Sequence, residues 1–352
     1  MQNSLPWVEK YRPETLSNII SQTDIINTLN NMINKSKLPH IIFYGPPGTG
    51  KTTSILACAK QIYGENYRSM ILELNGSDDR GINVVREQIK DFSTTKFILN
   101  QIINDISDVE PSIGQSSTTD NNIFKKNPLS SVQMKLVILD EADSMTYDAQ
   151  FALRRVIENF TNNTRFCLIC NYLTKIIPAL QSRCTIFKFH PILFNEHLNH
   201  IKTIAIKEKV QINDDCYKEI INLSEGDMRK SINLLQSLYL TYSNEIIDIN
   251  KIYQIVGYSN PTDTKELMNI LFDKKLSILE VYNYIYNFKE QKNLSVADII
   301  KEITISLLVA NISNKQLAII IDKLATIEVH LVGNVNQDIQ LAGIVSCIKS
   351  II

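Results

Sequence analysis

At 352 residues, the chain is long enough to form about two or three packed domains. Hydrophobic residues make up 44% of it and charged residues 21%, while Gly and Pro number only 11 and 10, which excludes collagen-like and broadly disordered chains. The 36 Lys and Arg are balanced by 37 Asp and Glu. The net charge of −1 excludes a protein that holds nucleic acid by bulk positive charge alone, so any such contact must come from a local patch.

No apolar run approaches the ~20 residues that a membrane helix needs, and the first residues lack the charged and apolar regions of a signal peptide. We therefore expect an intracellular protein with no membrane contact. The cysteines, at positions 58, 167, 170, 184, 216 and 347, are too dispersed for a disulfide framework, so we expect them to be reduced. Cys167 and Cys170 form a C-x-x-C pattern, but in an apolar, strand-like run where residues three apart point to opposite faces, which argues against a redox or zinc site.

Short apolar runs bounded by turn signals recur in the first half, and their lack of alternation is typical of strands buried on both faces. These runs are Ile41–Tyr44, Met70–Leu74, Leu136–Leu139 and Phe166–Cys170, followed by a last strand at Thr185–Phe189. Helical patterns such as Thr52–Tyr63 and Ala149–Phe160 separate them. The first half is therefore predicted to contain βαβ units that form a parallel sheet.

Helix-like segments follow Pro191 to the end of the chain, and a turn cluster at residues 257–261 divides them. We predict an α/β domain at 1–190, a small helical domain at 191–256 and an all-α domain at 257–352. A polar, aperiodic stretch at about 98–133 is predicted to be an insertion in the α/β domain. Apolar side chains at helical spacing from Leu317 to Leu331 form either a core face or a face that packs against another subunit.

A glycine-rich stretch follows the first strand run and precedes a helical pattern. It fits the P-loop pattern G-x-x-x-x-G-K-[ST] and reads Gly45-Pro46-Pro47-Gly48-Thr49-Gly50-Lys51-Thr52, with Thr53 next. The glycines let backbone N–H groups face phosphate oxygens, and the N-terminus of the following helix favours negative charge. We expect Lys51 to reach the β- and γ-phosphates and Thr52 to bind Mg²⁺, with Thr53 also contacting the nucleotide.

Asp140 and Glu141 directly follow the strand run Leu136–Leu139, at the strand end where open α/β sheets place their sites. This is a Walker B pattern. Asp140 is expected to hold Mg²⁺ directly or through water, and Glu141 to polarise the water that attacks the γ-phosphate. An Asp-Glu pair alone is usually a solvated turn, but its position downstream of a P-loop favours the catalytic role.

Six motifs, in order along the chain, carry a resemblance that covers nearly all of it. They are Leu5-Pro6-Trp7-Val8-Glu9-Lys10-Tyr11-Arg12-Pro13, the P-loop, Leu74-Asn75-Gly76-Ser77-Asp78-Asp79-Arg80-Gly81, Asp140-Glu141-Ala142-Asp143, Ser182-Arg183-Cys184 and Gly226-Asp227-Met228-Arg229. Together they closely resemble the small subunits of replication factor C, which are AAA+ clamp-loader ATPases. Within that family, residues 167–172 and 176–184 are most similar to the subunit-five type.

The resemblance implies an α/β P-loop (AAA+) ATPase domain with a parallel sheet, a small helical lid and an all-α collar through which five different subunits assemble. It implies a nuclear ATPase that uses ATP and Mg²⁺ to load the sliding clamp PCNA onto primer-template DNA, with four other replication factor C subunits as partners. Two alternatives stay open: a nucleotide-binding structural subunit that only contributes an arginine to its neighbour, and a different AAA+ remodelling ATPase. Intact Lys51, Asp140, Glu141 and Asn171 argue against the first of these.

The resemblance also gives roles to residues that look ordinary by themselves. Asn171, at a strand end, matches the sensor that positions the hydrolytic water or the γ-phosphate, and Arg229 matches a second sensor that reaches the nucleotide from the lid. Arg183 matches the arginine finger, which completes the ATP site of the neighbouring subunit and makes hydrolysis depend on assembly. The residues implied to surround the adenine and ribose are Val8, Tyr11, Arg12 and Ile20.

The stretch after Asp79 has the pattern of an amphipathic helix. Arg86 and Lys90 lie opposite its apolar face, and Arg80 lies near its start. As in the spiral of the family, these three basic residues are predicted to follow the phosphate backbone of DNA, independently of sequence and with a strong dependence on salt. A solvated charged face is the alternative.

Three residues depart from the family pattern. Gly76 stands where Ala is usual, Lys230 follows Arg229 where a second Arg is common, and Ile186 replaces the usual Arg. We expect the first two exchanges to be mild and the third to remove one basic contact.

Overall fold

The computed structural model describes residues 5–35, 37–77, 81–94, 134–242, 245–257, 260–292, 294–310, 312–333 and 336–351. The predicted insertion at 98–133 lies outside these residues. The chain divides into two compact units, which we call unit 1 (Met1–Ile206 and Ile221–Asn233) and unit 2 (Lys207–Ile220 and Leu234–Ile352). The three-domain division at 190/191 and 256/257 stays a prediction.

Unit 1 contains a parallel sheet that, within the described residues, has five strands in the order β2-β3-β4-β1-β5. Its strands are β1 (Ile41–Tyr44), β2 (Ile71–Asn75), β3 (Lys135–Asp140), β4 (Thr164–Cys170) and β5 (Thr185–Lys188). Every neighbouring pair is parallel, with Ile41 opposite Cys167 and Ile71 opposite Leu136, for example. The predicted parallel sheet and its strand positions are therefore confirmed, with ends that differ by one or two residues.

Helices flank both faces of this sheet because its central strands are apolar on both sides. Phe43 and Cys167 enter one buried cluster, whereas Ile42 and Cys170 enter the other. Cys167 and Cys170 thus lie on opposite faces as predicted, and all six cysteines are free thiols. The helices that begin in unit 1 upstream of residue 207 are α1 (Trp7–Lys10), α2 (Thr23–Asn34), α3 (Lys51–Tyr63), α4 (Tyr67–Met70), α5 (Gly81–Thr94), α6 (Tyr147–Phe160), α7 (Pro178–Gln181) and α8 (Phe194–Lys207).

The rest of the described chain is helical. Its helices are α9 (Asp214–Leu223), α10 (Met228–Thr241), α11 (Ile249–Val256), α12 (Pro261–Phe272), α13 (Ile278–Lys292), α14 (Val296–Val309), α15 (Asn314–Val332) and α16 (Gln337–Ile351). In the stripe on α15, Ile320 and Leu324 are buried in the core of unit 2, and Leu317, Ile327 and Leu331 pack against that core. The stripe is therefore a core face. In the part of the chain that the structure describes, every helix is too short or too polar to cross a membrane.

Candidate active site

The strand order brings three chain segments together at the carboxyl edge of the sheet. Because β3, β4 and β1 are consecutive neighbours, the segments that follow them share one edge. The P-loop follows β1, Asp140 ends β3 and Asn171 follows β4. The predicted site residues on these segments are thus adjacent in space.

The P-loop curls tightly, and two of its glycines leave no room for a side chain. Gly45 has φ +146°, and a Cβ added there would lie 2.3 Å from the carbonyl oxygen of Phe189. Gly48 has φ +69°, and its added Cβ would lie 1.9 Å from Oδ1 of Asp227. Only glycine fits both the left-handed backbone and the close approach at Gly48. The loop ends where α3 begins, at Lys51.

Lys51 points into the loop rather than into solvent. Its side chain is largely buried, and Nζ donates to the carbonyl oxygens of Gly45 and Pro46 at 2.7 Å each and to Oδ1 of Asn171 at 3.0 Å. Burial lowers the pKa of Lys51, and the nearby Asp140 carboxylate opposes this effect. The ammonium group is therefore held at the point where the P-loop meets the end of β4.

The Walker B carboxylate contacts the P-loop helix directly. Oγ1 of Thr52 donates to Oδ2 of Asp140 at 2.8 Å, and Oδ1 of Asp140 accepts from the backbone N–H of Glu141 at 2.9 Å. Glu141 is exposed and has φ 52° and ψ 38°, a left-handed conformation that is uncommon for a residue with a side chain. Ser144 stabilises this turn, since its N–H and hydroxyl both donate to the Glu141 carbonyl oxygen, at 2.9 and 2.7 Å.

Asp143 orients Asn171, which is a function that the sequence did not reveal. Oδ2 of Asp143 accepts hydrogen bonds from the backbone N–H groups of Asn171 and Tyr172, both at 3.2 Å. This fixes the chain after β4 against the Walker B turn, with the Asn171 amide facing Lys51. The motif Asp140-Glu141-Ala142-Asp143 was visible in the sequence, but the partner of its last carboxylate lies 28 residues downstream.

A cleft lies beside the P-loop, and its walls are mostly apolar. The predicted residues that line it are Val8, Tyr11, Arg12, Ile20, Gly48, Thr49, Gly50, Thr53 and Arg229. Further residues that were not predicted also line the cleft, and these are Pro13, Ile19, Ile192, His200, Met228 and Ile232. Apolar walls with a few polar groups are typical of a small-molecule site, and the phosphate-binding loop at one end matches a nucleotide.

The N-terminal end of α10 meets the P-loop within unit 1. Asp227 caps this helix by accepting from the N–H of Arg229 at 2.8 Å, and its carboxylate faces Gly48. The Arg229 side chain lines the cleft and is close enough to contribute to the lowered pKa of Lys51, after burial. The second predicted arginine, Arg183, does not line the cleft and instead lies in the turn between α7 and β5.

The predicted DNA-binding residues are described only in part. Lys90 is exposed on α5, and the neighbouring Ile89 is buried, so the basic side chain faces outward as predicted. Arg80 lies outside the described residues. Arg86 lies in α5, but its side chain is outside the described part of the structure.

At Gly76, where Ala is usual, the structure leaves little room for a side chain. Its N–H donates to the Asp140 carbonyl oxygen at 2.7 Å, and an added Cβ would lie 2.6 Å from the Glu141 carbonyl oxygen. In this backbone Ala could enter only if the Walker B turn moved, and the mildness of the exchange stays a prediction.

Three stretches of the chain match known families. Residues 41–192 match the ATPase family associated with various cellular activities (AAA), 199–240 the RCF1/5-like AAA+ ATPase lid domain, and 259–347 the replication factor C C-terminal domain. The chain is 42% identical to replication factor C subunit 3 of Schizosaccharomyces pombe, over 99% of this chain and 92% of that protein. It is 41% identical to replication factor C subunit 5 of Homo sapiens, over 98% of this chain and 92% of that protein. The chain belongs to the replication factor C small-subunit family.

Membership of the replication factor C family identifies the chain as an ATPase subunit of a multi-subunit clamp loader, and it excludes the alternative of a different AAA+ remodelling ATPase. As an ATP hydrolase, it binds nucleotide. Replication factor C subunit 3 of Saccharomyces cerevisiae is a further relative, 40% identical over 99% of this chain and 94% of that protein. A RuvB variant of Thermotoga maritima covers 78% of this chain and 85% of its own, with a TM-score of 0.50 and 17% identity, which shows the shared fold alone.

Proposed function

We propose that this chain binds ATP at its P-loop and hydrolyses it as one of five replication factor C subunits that load the sliding clamp PCNA onto primer-template DNA. The observation that carries the proposal is a pair of hydrogen bonds, one from Thr52 to Asp140 and one from Lys51 to Asn171. They bring the phosphate-binding, metal-binding and water-positioning groups of a phosphoryl-transfer site to one edge of the sheet. The proposed role is in DNA replication and repair, in the nucleus.

The donor atoms at the edge fit Mg²⁺. Oγ1 of Thr52 and Oδ2 of Asp140 are hard oxygen ligands 2.8 Å apart, and Mg²⁺ prefers few protein oxygens together with phosphate and water. When bound, the ion neutralises charge on the β- and γ-phosphates. Lys51 binds those phosphates, and the P-loop N–H groups orient them.

Glu141 is the general base of the proposed reaction. It directly follows Asp140 at the end of β3, and its side chain is exposed, so that it can deprotonate a water and direct it at the γ-phosphorus. Asn171 holds that water or the γ-phosphate through its amide, and Asp143 keeps the Asn171 backbone in place. Arg229 contacts the nucleotide from α10.

Arg183 acts on a second nucleotide, that of the neighbouring subunit. Its position away from the cleft of its own chain supports an arginine finger supplied in trans. On the clamp-loader surface, Lys90, Arg86 and Arg80 contact the DNA backbone, which carries no sequence information but makes binding sensitive to salt. ATP binding closes the assembly on clamp and DNA, and hydrolysis releases the clamp.

The test is clamp loading by the reconstituted complex that carries Lys51→Met in this chain. The matched control is Lys60→Met, because Lys60 is on the same helix but points to the surface, where it forms an ion pair with Glu14 and lies over the Tyr67 ring. We expect Lys51→Met to remove one nucleotide from the count bound per complex and to lower loading, while Lys60→Met changes neither. Equal nucleotide counts and equal loading for both variants would contradict the proposal.

A further inference from the structure

Arg183 is held by a carboxylate on helix α6. Nη2 of Arg183 lies 2.5 Å from Oε1 of Glu158 on α6, and Nη1 donates to the carbonyl oxygen of Ala179 at 2.8 Å. Two ends of the guanidinium fork are therefore bonded within this chain. The side chains of Arg183 and Glu158 remain 33% and 40% exposed, so the pair lies at the surface.

Glu158 is shared by two arginines. The same Oε1 atom accepts from Nε of Arg154, one turn earlier on α6, at 3.1 Å. The hydrogen bond from Arg154, followed by the charges of Arg154 and Arg183, lowers the pKa of Glu158. The carboxylate therefore stays ionised at neutral pH, as an orienting contact for a guanidinium requires.

The positions of Glu158 and Arg183 relative to each other are fixed by the core rather than by the surface pair. Gln150 of α6 is buried and joins the helix to the segment before α7: its Oε1 accepts from Ile177 N–H at 2.8 Å and its Nε2 donates to the Lys175 carbonyl at 3.0 Å. Ile157 of α6 and Leu180 of α7 share one buried cluster. The carboxylate is thus presented on a rigid helix.

We propose that Glu158 is a positioning residue for the arginine finger, which orders the Arg183 guanidinium before the neighbouring subunit docks. This rests on the proposed function, in which Arg183 acts in trans. A free arginine side chain loses rotamer entropy when it is ordered, and an ordered guanidinium reaches the transition state without that loss. Glu158 does not line the cleft of its own chain, and its proposed action is through Arg183.

The test uses the assembled complex with Glu158→Gln, which keeps the shape of the side chain and removes its charge. An exposed ion pair contributes little, so we expect kcat at the site that receives Arg183 to fall about two- to fivefold. We expect the KM for ATP to be unchanged, because that nucleotide is bound by the P-loop of the neighbour. Glu158→Asp should restore part of the rate. Asp148→Asn, which removes a carboxylate from the first turn of the same helix, is the control and should leave the rate unchanged.

A double-mutant cycle separates this inference from the proposed function. We expect Arg183→Ala to lower the rate more than Glu158→Gln, and Glu158→Gln to have no further effect in the Arg183→Ala background. If Arg183→Ala alone leaves the rate unchanged, the role in trans fails and the inference fails with it. Other results overturn only the positioning role, provided that Arg183→Ala itself lowers the rate. One is that Glu158→Gln alone leaves the rate unchanged or raises it. The other is that Glu158→Gln lowers the rate further in the Arg183→Ala background. A lower melting temperature of the subunit at an unchanged kcat would likewise mean that Glu158 is merely structural.

Discussion

His40 makes the stability of unit 1 depend on pH. It lies directly before β1, is 8% exposed, and its Nδ1 accepts the backbone N–H of Phe166 at 3.2 Å. Its Nε2 lies 3.4 Å from Oγ1 of Thr161, whose own hydroxyl donates to Ile157. The ring is therefore neutral, with its proton on Nε2. A proton on Nδ1 would break the bond to Phe166 and place a charge near Arg165.

Burial, and then the charge of Arg165, lowers the pKa of His40 from 6.5 to about 4. Because the folded pKa is lower than the unfolded one, the unfolded chain binds more protons below about pH 6.5, and stability falls as the pH falls. The full shift in the pKa of His40 corresponds to about 3.4 kcal/mol of unfolding free energy, and this loss is complete only below the folded pKa. About 2 kcal/mol of it is lost between pH 7.5 and 5.

The assay is urea unfolding of the full chain at pH 7.5 and pH 5, followed by the fluorescence of Trp7, the single tryptophan, which is buried in unit 1. The comparison is His40→Asn, whose amide oxygen can still accept from Phe166 but does not titrate. From pH 7.5 to 5, the wild type should lose about 2 kcal/mol more than the variant, since all other titrating groups cancel in the difference. Equal losses for the two proteins would refute the reasoning.

Three further changes test separate parts of the structure. Gly48→Ala places a methyl group against the Asp227 carboxylate and strains the loop, so nucleotide affinity measured by fluorescent-analogue titration should fall by about tenfold or more, and an unchanged affinity would contradict the tight P-loop. Asp143→Ala frees the backbone of Asn171 and should lower turnover of the assembled complex by about tenfold, whereas Asp143→Asn should retain more of the turnover. Equal rates for the Ala and Asn variants would refute the orienting role. Ser295→Ala removes the capping box of α14 and should cost about 1 kcal/mol in thermal unfolding followed by circular dichroism, whereas no loss would mean that the cap is not formed in solution.

The sequence predicted those parts of the site whose signal is local. The P-loop pattern needs only eight consecutive residues, and a carboxylate pair after an apolar run marks a strand end without any knowledge of the fold. Once β1, β3 and β4 are parallel neighbours, Lys51, Asp140 and Asn171 must lie together. The family resemblance supplied the cleft residues Val8 and Arg229, whose positions no local pattern reveals.

What the sequence could not predict depends on contacts between distant segments. Gly48 lies against Asp227, which comes 179 residues later in the sequence. Glu158 on α6 contacts Arg183, which follows the neighbouring helix α7. Neither pairing follows from periodicity, because both depend on how helices pack. Gly76 is a related case, since its lack of a side chain matters only through the approach of the Glu141 carbonyl.

The proposed function requires that the site built around the P-loop of this chain hydrolyses ATP. The measurement that tests it most directly is clamp- and DNA-stimulated ATP hydrolysis by the reconstituted complex carrying Glu141→Gln in this chain, with bound nucleotide counted in parallel. We expect a clear drop in rate with the nucleotide count unchanged, because the variant keeps the P-loop and the hydrogen bond from Thr52 to Asp140 but loses the general base. An unchanged rate with nucleotide bound would contradict the proposed function and would mean that the chain holds its nucleotide only as a structural element.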